Sequence, residues 1–374
     1  MRDVETAIIG GGPAGAAAAC ALAASGRETV LFERSAGPHH KVCGEFLSIE
    51  TQALLREIGI DPPALGAVGI DYVAIYAAGR SIGAALPFRA LSLSRHRLDD
   101  ALLHAAASSG AEVRRNVRVR EVSRDGAGWT LRCEADDRIR CRYLVLATGK
   151  RGLRGISESR DASLVGLKMH LRLAAGQRQA LARRVELAFL AGGYAGLEPV
   201  ENDIANLCFV LPCALVARLA PGWAALQNYL TGAAPHLAER LEGAEPLWEK
   251  PLAVVCPSGG HLHRTHEIGA YRVGDRLAHI PPFTGDGLAI ALGSAALAAR
   301  HIAGGKPPAA YQAAARHLTA APIRVASTVS RLAGRGIGRA VLMRVGACAP
   351  GLIGSIVRRT RMVPGLPSNT RTVS

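Results

Sequence analysis

The run VETAII at residues 4–9 reads as a buried strand, and the small-residue run AAAACALAASG reads as a helix stopped by Gly26. Between them lies the glycine-rich turn GGGPAG, residues 10–15, and after them a second strand, ETVLFE, ends on Glu33. From Leu91, LSLSRHRLDDALLHAAASSG predicts a helix with Ser94 as candidate cap and Gly110 as stop. EVRRNVRVREV, WTLRCE and RIRCRYLVLATG, with a DGAG turn between them, alternate like the strands of a small meander. SLVGLKMHLRL alternates cleanly: Val165, Leu167, Met169 and Leu171 share one face, and Lys168, His170 and Arg172 share the other. RVELAFL, YAGLEPVE and IANLCFVL continue that sheet, with helices expected over residues 214–219, 223–231 and 235–241. YRVGDRLAHIPPFTGDGLAIALGSAALAAR then leads from a strand through a proline-rich turn into a second small-residue helix.

Composition narrows the class. A chain of 374 residues that is 49% apolar buries a sizeable core and is not disordered. No apolar run approaches the ~20 residues of a membrane span, and no charged leader with a cleavage site precedes Val4, so neither a span nor a signal peptide is expected. The eight cysteines are scattered without a CxxC pair, which predicts free thiols in a reducing cytoplasm and no metal site. The net charge of +15 is uneven: residues 287–374 hold 12 Lys or Arg and no acid. That basic, partly apolar tail suits either peripheral docking on an anionic membrane face or a solvated helical cap. With no stacking-aromatic pattern or recognised module in it, nucleic acid is not an expected partner.

Chemistry concentrates at the glycines. Gly10-x-Gly12-x-x-Gly15 between a strand and a helix permits a tight turn, close approach to a pyrophosphate and close helix–strand packing. The helix start offers free amides to phosphate, and Glu33 falls where a carboxylate holds ribose hydroxyls. A nucleotide site is the reading. Thr148-Gly149 ends a later strand, and Gly274-Asp275 with Gly285 and Gly287 repeats the anion-binding pattern before the second helix.

These separated motifs resemble those of flavoprotein monooxygenases of the para-hydroxybenzoate hydroxylase type, shared with geranylgeranyl reductases and flavin-dependent halogenases. The resemblance implies an α/β fold: a Rossmann-like FAD domain, an inserted antiparallel substrate sheet and a C-terminal helical region. It divides the chain into residues 1–70, 90–160 and 265–310 for FAD, 71–89 and 161–264 for substrate, and a basic region at 311–374. Glu33 would hold the adenosine ribose, with Arg34 beside it, and Arg95 would lie near the pyrophosphate that Gly10, Gly12, Pro13, Ala14 and Gly15 cradle. Asp275 after Gly274 would bind the ribityl chain; Pro282, Gly285, Asp286 and Gly287 would lie against the flavin ring, and Val119, Thr148 and Gly149 would complete the site. Aromatic hydroxylases place Asp-Gly after the ATG-like strand, where this chain has Lys150 and Arg151, and the halogenases' tryptophan-rich motif is absent. KVCGEFLS, ATGKRGLRG, VGLKMHLRL and GGYAGLEPVE together look most like flavoproteins encoded beside bacterial type III polyketide synthases.

By this resemblance KVCGEFLS passes close to the flavin. Gly44 would allow backbone contact, Lys41 would counter negative charge, and Cys43 or Glu45 would face the reacting carbon; on the residues alone, Lys41 and Glu45 also read as a solvated pair. Candidates for catalysis are His170, Cys43 and Tyr194, the last sharing a strand face with Glu198. The implied activity is hydroxylation of a lipophilic phenolic or polyketide-derived small molecule through a flavin hydroperoxide, with NAD(P)H as reductant. The alternatives are saturation of isoprenoid double bonds and non-catalytic flavin binding at a membrane. Oligomeric state is not legible.

Overall fold

A parallel sheet organises the first half of the chain. In this computed structural model, which describes residues 2–126, 128–134, 137–156, 163–257, 261–262, 269–349 and 351–361, strand Arg2–Ile9 lies between Thr29–Phe32 and Arg138–Leu146, parallel to both. Tyr271–Arg272 returns from far along the chain to pair in parallel with the end of Arg138–Leu146. A sheet of this kind needs both faces covered. Helices Pro13–Ala24 and Gly287–Ala303 supply small, buried faces that share one core with Leu98 and Leu102 of the helix Arg95–Ser108. Gly10 has φ +107°, and a Cβ there would meet Ala147 O at 2.4 Å; at Gly15 it would meet Gly10 O at 1.8 Å. The turn closes only with glycine at both places.

Two sequence expectations change here. EVR does not join the meander: Glu112–Arg114 is a parallel edge strand on Thr29–Phe32, and only Val119–Asp125, Gly128–Cys133 and Arg138–Leu146 form the antiparallel run. An alternating run has no mark of its partner, so adjacency in sequence misled. Leu91 and Ser92 are not helical either. They end the long strand Arg80–Ser92, where Leu91 pairs with both Gly69 and Leu47. The helix starts at Arg95, with Ser94 Oγ accepting from the Arg97 amide at 3.3 Å.

Among the described residues, nine strands form the second sheet, ordered Glu245–Pro246, Leu164–Arg172, Ile204–Pro212, Gly193–Val200, Arg184–Leu190, Val68–Ala77, Arg80–Ser92 and Phe46–Leu47, with Leu252–Cys256 also on Leu164–Arg172. Leu167, Met169 and Leu171 pack one face against Trp223, Leu226, Leu230 and Leu237 from helices Trp223–Ala233 and Pro235–Arg240. The opposite face, with Gly166, Lys168 and His170, turns toward the segment KVCGEFLS; a Cβ on Gly166 would sit 3.3 Å from Val42.

Helices Pro308–Ala333, Gly336–Cys348 and Gly351–Thr360 pack over both units. Tyr311 donates to Arg272 O at 2.6 Å, and Arg339 Nη1 donates to Leu190 O at 3.1 Å. Arg339 is therefore an anchor and not a solvated charge. No described helix is long and apolar enough to cross a membrane. The unit boundaries expected near residues 160 and 265, and the basic tail beyond residue 361, lie outside the described residues.

Candidate functional site

A cavity of about 790 Å³ opens where the parallel strands end, beneath the second sheet. Every cofactor-contact candidate lines it except Gly15 and Asp286. Gly15 sits behind, packing the helix on the turn. The Asp286 carboxylate is buried in an ion pair with Arg361, which itself lines the cavity, so Asp286 reaches the cavity wall through that guanidinium. Burial pushes the Asp286 carboxyl up to about 7 although Arg361 opposes the shift.

The nucleotide end is prepared for a diphosphate. Helix Pro13–Ala24 begins without a side-chain cap, which leaves first-turn amides for an anion. Glu33 is buried and accepts from the amides of Gly11 and Ser35 at 2.8 and 2.9 Å, so its orientation is set before any ribose arrives. Arg95 and Lys41 both pair with Asp99, at 2.6 and 2.8 Å, and both reach within about 4 Å of a Cβ built on Gly12. Burial pushes the Asp99 carboxyl up, but Arg95 and Lys41 outweigh it and hold it below its usual range. Two cations against one carboxylate leave a net positive charge beside the helix start. The Arg95–Asp99 pair, which on spacing alone also fits a surface ion pair, is nearly buried here, and Lys41 has Asp99 as partner instead of Glu45.

Glu45 is the centre of a second cluster that the sequence reading missed. It is fully buried at φ +66°, and its carboxylate forms an ion pair with Lys168, bonds His170 Nε2 at 2.9 Å and accepts from the Arg95 amide at 2.7 Å. Asn206 Nδ2 donates to the carbonyls of Cys43 and Gly44 at 3.1 and 2.9 Å, clamping the loop on the sheet. Burial alone pushes the Glu45 carboxyl up, but Lys168 and His170 reverse this and hold it below the usual range. Glu45 and Cys43 line the cavity; His170 does not, and stands behind Glu45. There it stacks on Trp248 and borders a pocket of about 280 Å³ with His40 and His96. Burial, then the charges of His170 and Lys168, lower His40 to about 4. His40, Glu45 and His170 offer ligand atoms within 4.8 Å of one another, but the Lys168 ammonium on the carboxylate opposes a metal cation. Strand alternation placed Lys168 and His170 on one face; nothing local announced that their partner would be Glu45.

The substrate wall carries few polar groups. Tyr194 lies 6.0 Å, edge-on, from Phe283 of the proline-rich turn, and Glu198 accepts from Ser92 Oγ at 3.1 Å. Burial pushes both the Tyr194 phenol and the Glu198 carboxyl well above their ordinary values, and raises the Cys208 thiol to about 12. Each is held in its neutral form. Because the folded protein keeps the Glu198 proton at pH values where the unfolded chain has released it, that group's contribution is complete below about pH 4.5 and is lost as pH rises toward the folded value. Glu198→Gln should remove up to about 1.4 kcal/mol per pH unit of that slope. Melting curves from pH 5 to 8 should show the variant gaining on the parent as pH rises; parallel curves would mean Glu198 is ionised.

Residues 3–162 match the family model described as FAD binding domain. The chain is 25% identical over 329 residues to menaquinone reductase of Mycolicibacterium smegmatis, covering 80% of this chain and 76% of that protein. A menaquinone reductase of Mycobacterium tuberculosis is 23% identical over 316 residues, covering 79% and 76%. Among solved structures, the flavin-dependent brominase Bmp2 superposes with a TM-score of 0.79 at 18% identity, over 96% of this chain and 93% of that one. Halogenase PltM in complex with phloroglucinol and FAD gives 0.71 at 16%, over 95% and 82%. With its nucleotide motifs gathered around one cavity, the chain is an FAD-dependent oxidoreductase that carries an FAD-binding domain at residues 3–162 and shares its fold with flavin-dependent halogenases.

Proposed function

We propose that the protein hydroxylates a lipophilic phenolic or polyketide-derived ring, with NAD(P)H as electron source. The observation that carries this reading is the cavity wall: Ile75, Leu187, Phe189 and Leu342 give it apolar surface, while Tyr194 and Glu198 are neutral donors and Glu45 is the anion. Such a wall suits an uncharged aromatic ring with one or two hydroxyls. FAD, when bound, supplies the redox chemistry. The chain's own groups do the rest. Glu33 and the glycine-rich turn hold the nucleotide, and Arg95 with Lys41 neutralises the diphosphate. Tyr194 and Glu198 donate to ring oxygens, the Glu45 carboxylate accepts a hydrogen bond from a ring hydroxyl while His170 and Lys168 hold it in place, and the apolar walls exclude water.

Asp275 lines the cavity from the short turn Gly274–Arg276 that follows the strand Tyr271–Arg272. One or two hydrogen bonds from ribityl hydroxyls to its carboxylate are worth roughly 1–3 kcal/mol when buried. Asp275→Ala should therefore weaken FAD retention by about one to two orders of magnitude. Unchanged flavin content after extensive dialysis would remove Asp275 from that role.

A second reading, reduction of a quinone-borne or other isoprenoid double bond, is favoured by the two menaquinone reductases among the relatives. Product analysis with alkylresorcinols and with a menaquinone, under air and under argon, separates the two. Hydroxylated resorcinol formed only in air is expected. A saturated product formed under argon would replace the proposal with the reductase, and neither product would leave a flavin-bearing binding protein.

A further inference from the structure

Four of the seven large apolar side chains that stand exposed among the described residues fall in one short stretch: Leu332, Ile337, Val341 and Val345. Leu332 lies at the end of helix Pro308–Ala333, and the other three lie on the next helix, Gly336–Cys348. Ile337, Val341 and Val345 recur every four residues and so form one stripe along that helix. Ile337 is 85% exposed and Val341 52%, which no internal packing role accounts for. Single exposed apolar residues are ordinary, whereas a contiguous apolar stripe marks a docking surface.

The rim of the stripe is basic. Arg324, Arg331, Arg335 and Arg344 are all exposed on the same two helices and the turn between them, and no acid occurs from residue 287 onward. Arg339, on the same helix, is excluded from this set because it is spent on the Leu190 carbonyl. An apolar stripe bordered by arginines has the chemistry of a helix that lies in the plane of an anionic bilayer. Sequence left this face undecided between a membrane contact and a solvated cap. In the tertiary structure the inner side of the hairpin caps the cavity, and the outer side carries the exposed stripe.

The stripe is also continuous with the cavity. Leu342, Met343 and Gly346 line the chamber from inside, and Val345 lines it while remaining 41% exposed. We propose that the hairpin formed by helices Pro308–Ala333 and Gly336–Cys348 docks on an anionic lipid surface and admits the substrate from the bilayer past Val345. The admission step rests on the lipophilic substrate class proposed above. The docking step does not, since it is read from the stripe and its charge.

Docking is tested on the full chain with FAD bound, by co-sedimentation with vesicles of phosphatidylcholine containing phosphatidylglycerol and with vesicles of phosphatidylcholine alone. The protein should pellet with the anionic vesicles and not with the neutral ones, and added salt should weaken the binding. Arg331→Gln, Arg335→Gln and Arg344→Gln together should lower the partition by about a hundredfold. Ile337→Ser with Val341→Ser should lower it further at a salt concentration where charge attraction is screened. Neither set touches the cavity, so flavin absorbance should stay that of the parent and serves as the folding control. Failure of the parent to pellet at low salt, or equal binding by all three proteins, would overturn docking. If the serine pair instead converts a dimer to a monomer in sedimentation velocity without changing vesicle binding, the stripe is a contact with a second copy and the proposal fails. Admission is read separately, from kcat/KM for an alkylresorcinol carried in anionic vesicles against the same compound in detergent. Loss of the vesicle advantage in the serine pair, with detergent activity kept, supports it. An advantage retained in that variant overturns it. Absence of turnover in both media counts against the substrate class and leaves the docking result standing.

Discussion

Lys168→Met should destabilise the folded protein by about 3–5 kcal/mol, because it leaves the Glu45 carboxylate buried without its ammonium partner. Methionine matches the lysine stem in length, so the change is in charge more than in packing. Glu45 is entirely removed from solvent, and the imidazole of His170 and one backbone amide are what remain to it. The double variant Lys168→Met with Glu45→Gln should recover a large part of the loss, since neither full charge is then stranded. Urea unfolding of the two single variants and the double, all with excess FAD, gives the coupling energy directly. A purely additive double would show that the pair is not coupled and that Glu45 is neutral. The pH sense follows from the depressed carboxyl: its contribution is present above the unfolded value near 4.5 and is lost as pH falls through the folded value. The parent should lose stability on acidification more steeply than the double variant.

Gly12→Val should yield a folded protein without flavin. A Cβ on Gly12 meets nothing closer than the Arg95 guanidinium at 3.8 Å, so the side chain has room in the protein itself. What it fills is the space between the helix start and the Arg95–Lys41 cations, where a pyrophosphate must come against the backbone. The neighbouring glycines predict the contrast. At Gly15 a Cβ would lie 1.8 Å from Gly10 O, so Gly15→Val should fail to fold, whatever the cofactor. Absorbance near the flavin bands together with circular dichroism separates the cases. A folded, fully yellow Gly12→Val protein would displace the nucleotide site from this turn.

The nucleotide half of the protein was legible in the chain because its determinants are local. Strand, glycine turn, small-residue helix and Glu33 lie within one stretch of backbone, and each glycine answers a steric demand of its immediate neighbours. The alternation of Leu164–Arg172 was legible for the same reason, since a strand's two faces follow from its own pleat. Pairing was not. Glu112–Arg114 alternates like its neighbours yet lies on Thr29–Phe32, and Lys41, set four residues from Glu45, turns to Asp99. Such choices depend on which charges the folded backbone brings together, and a charge in the sequence carries no mark of its partner. Glu45, Lys168 and His170 form the clearest case. The loop supplies the acid, a strand of the second sheet supplies its two partners, and only their packing removes all three from water. The basic tail divides along the same line. Its composition marked it as a surface for an anion or a cap, but whether Arg339 is an anchor and Ile337 is free was decided by the side of the helix that met the sheet.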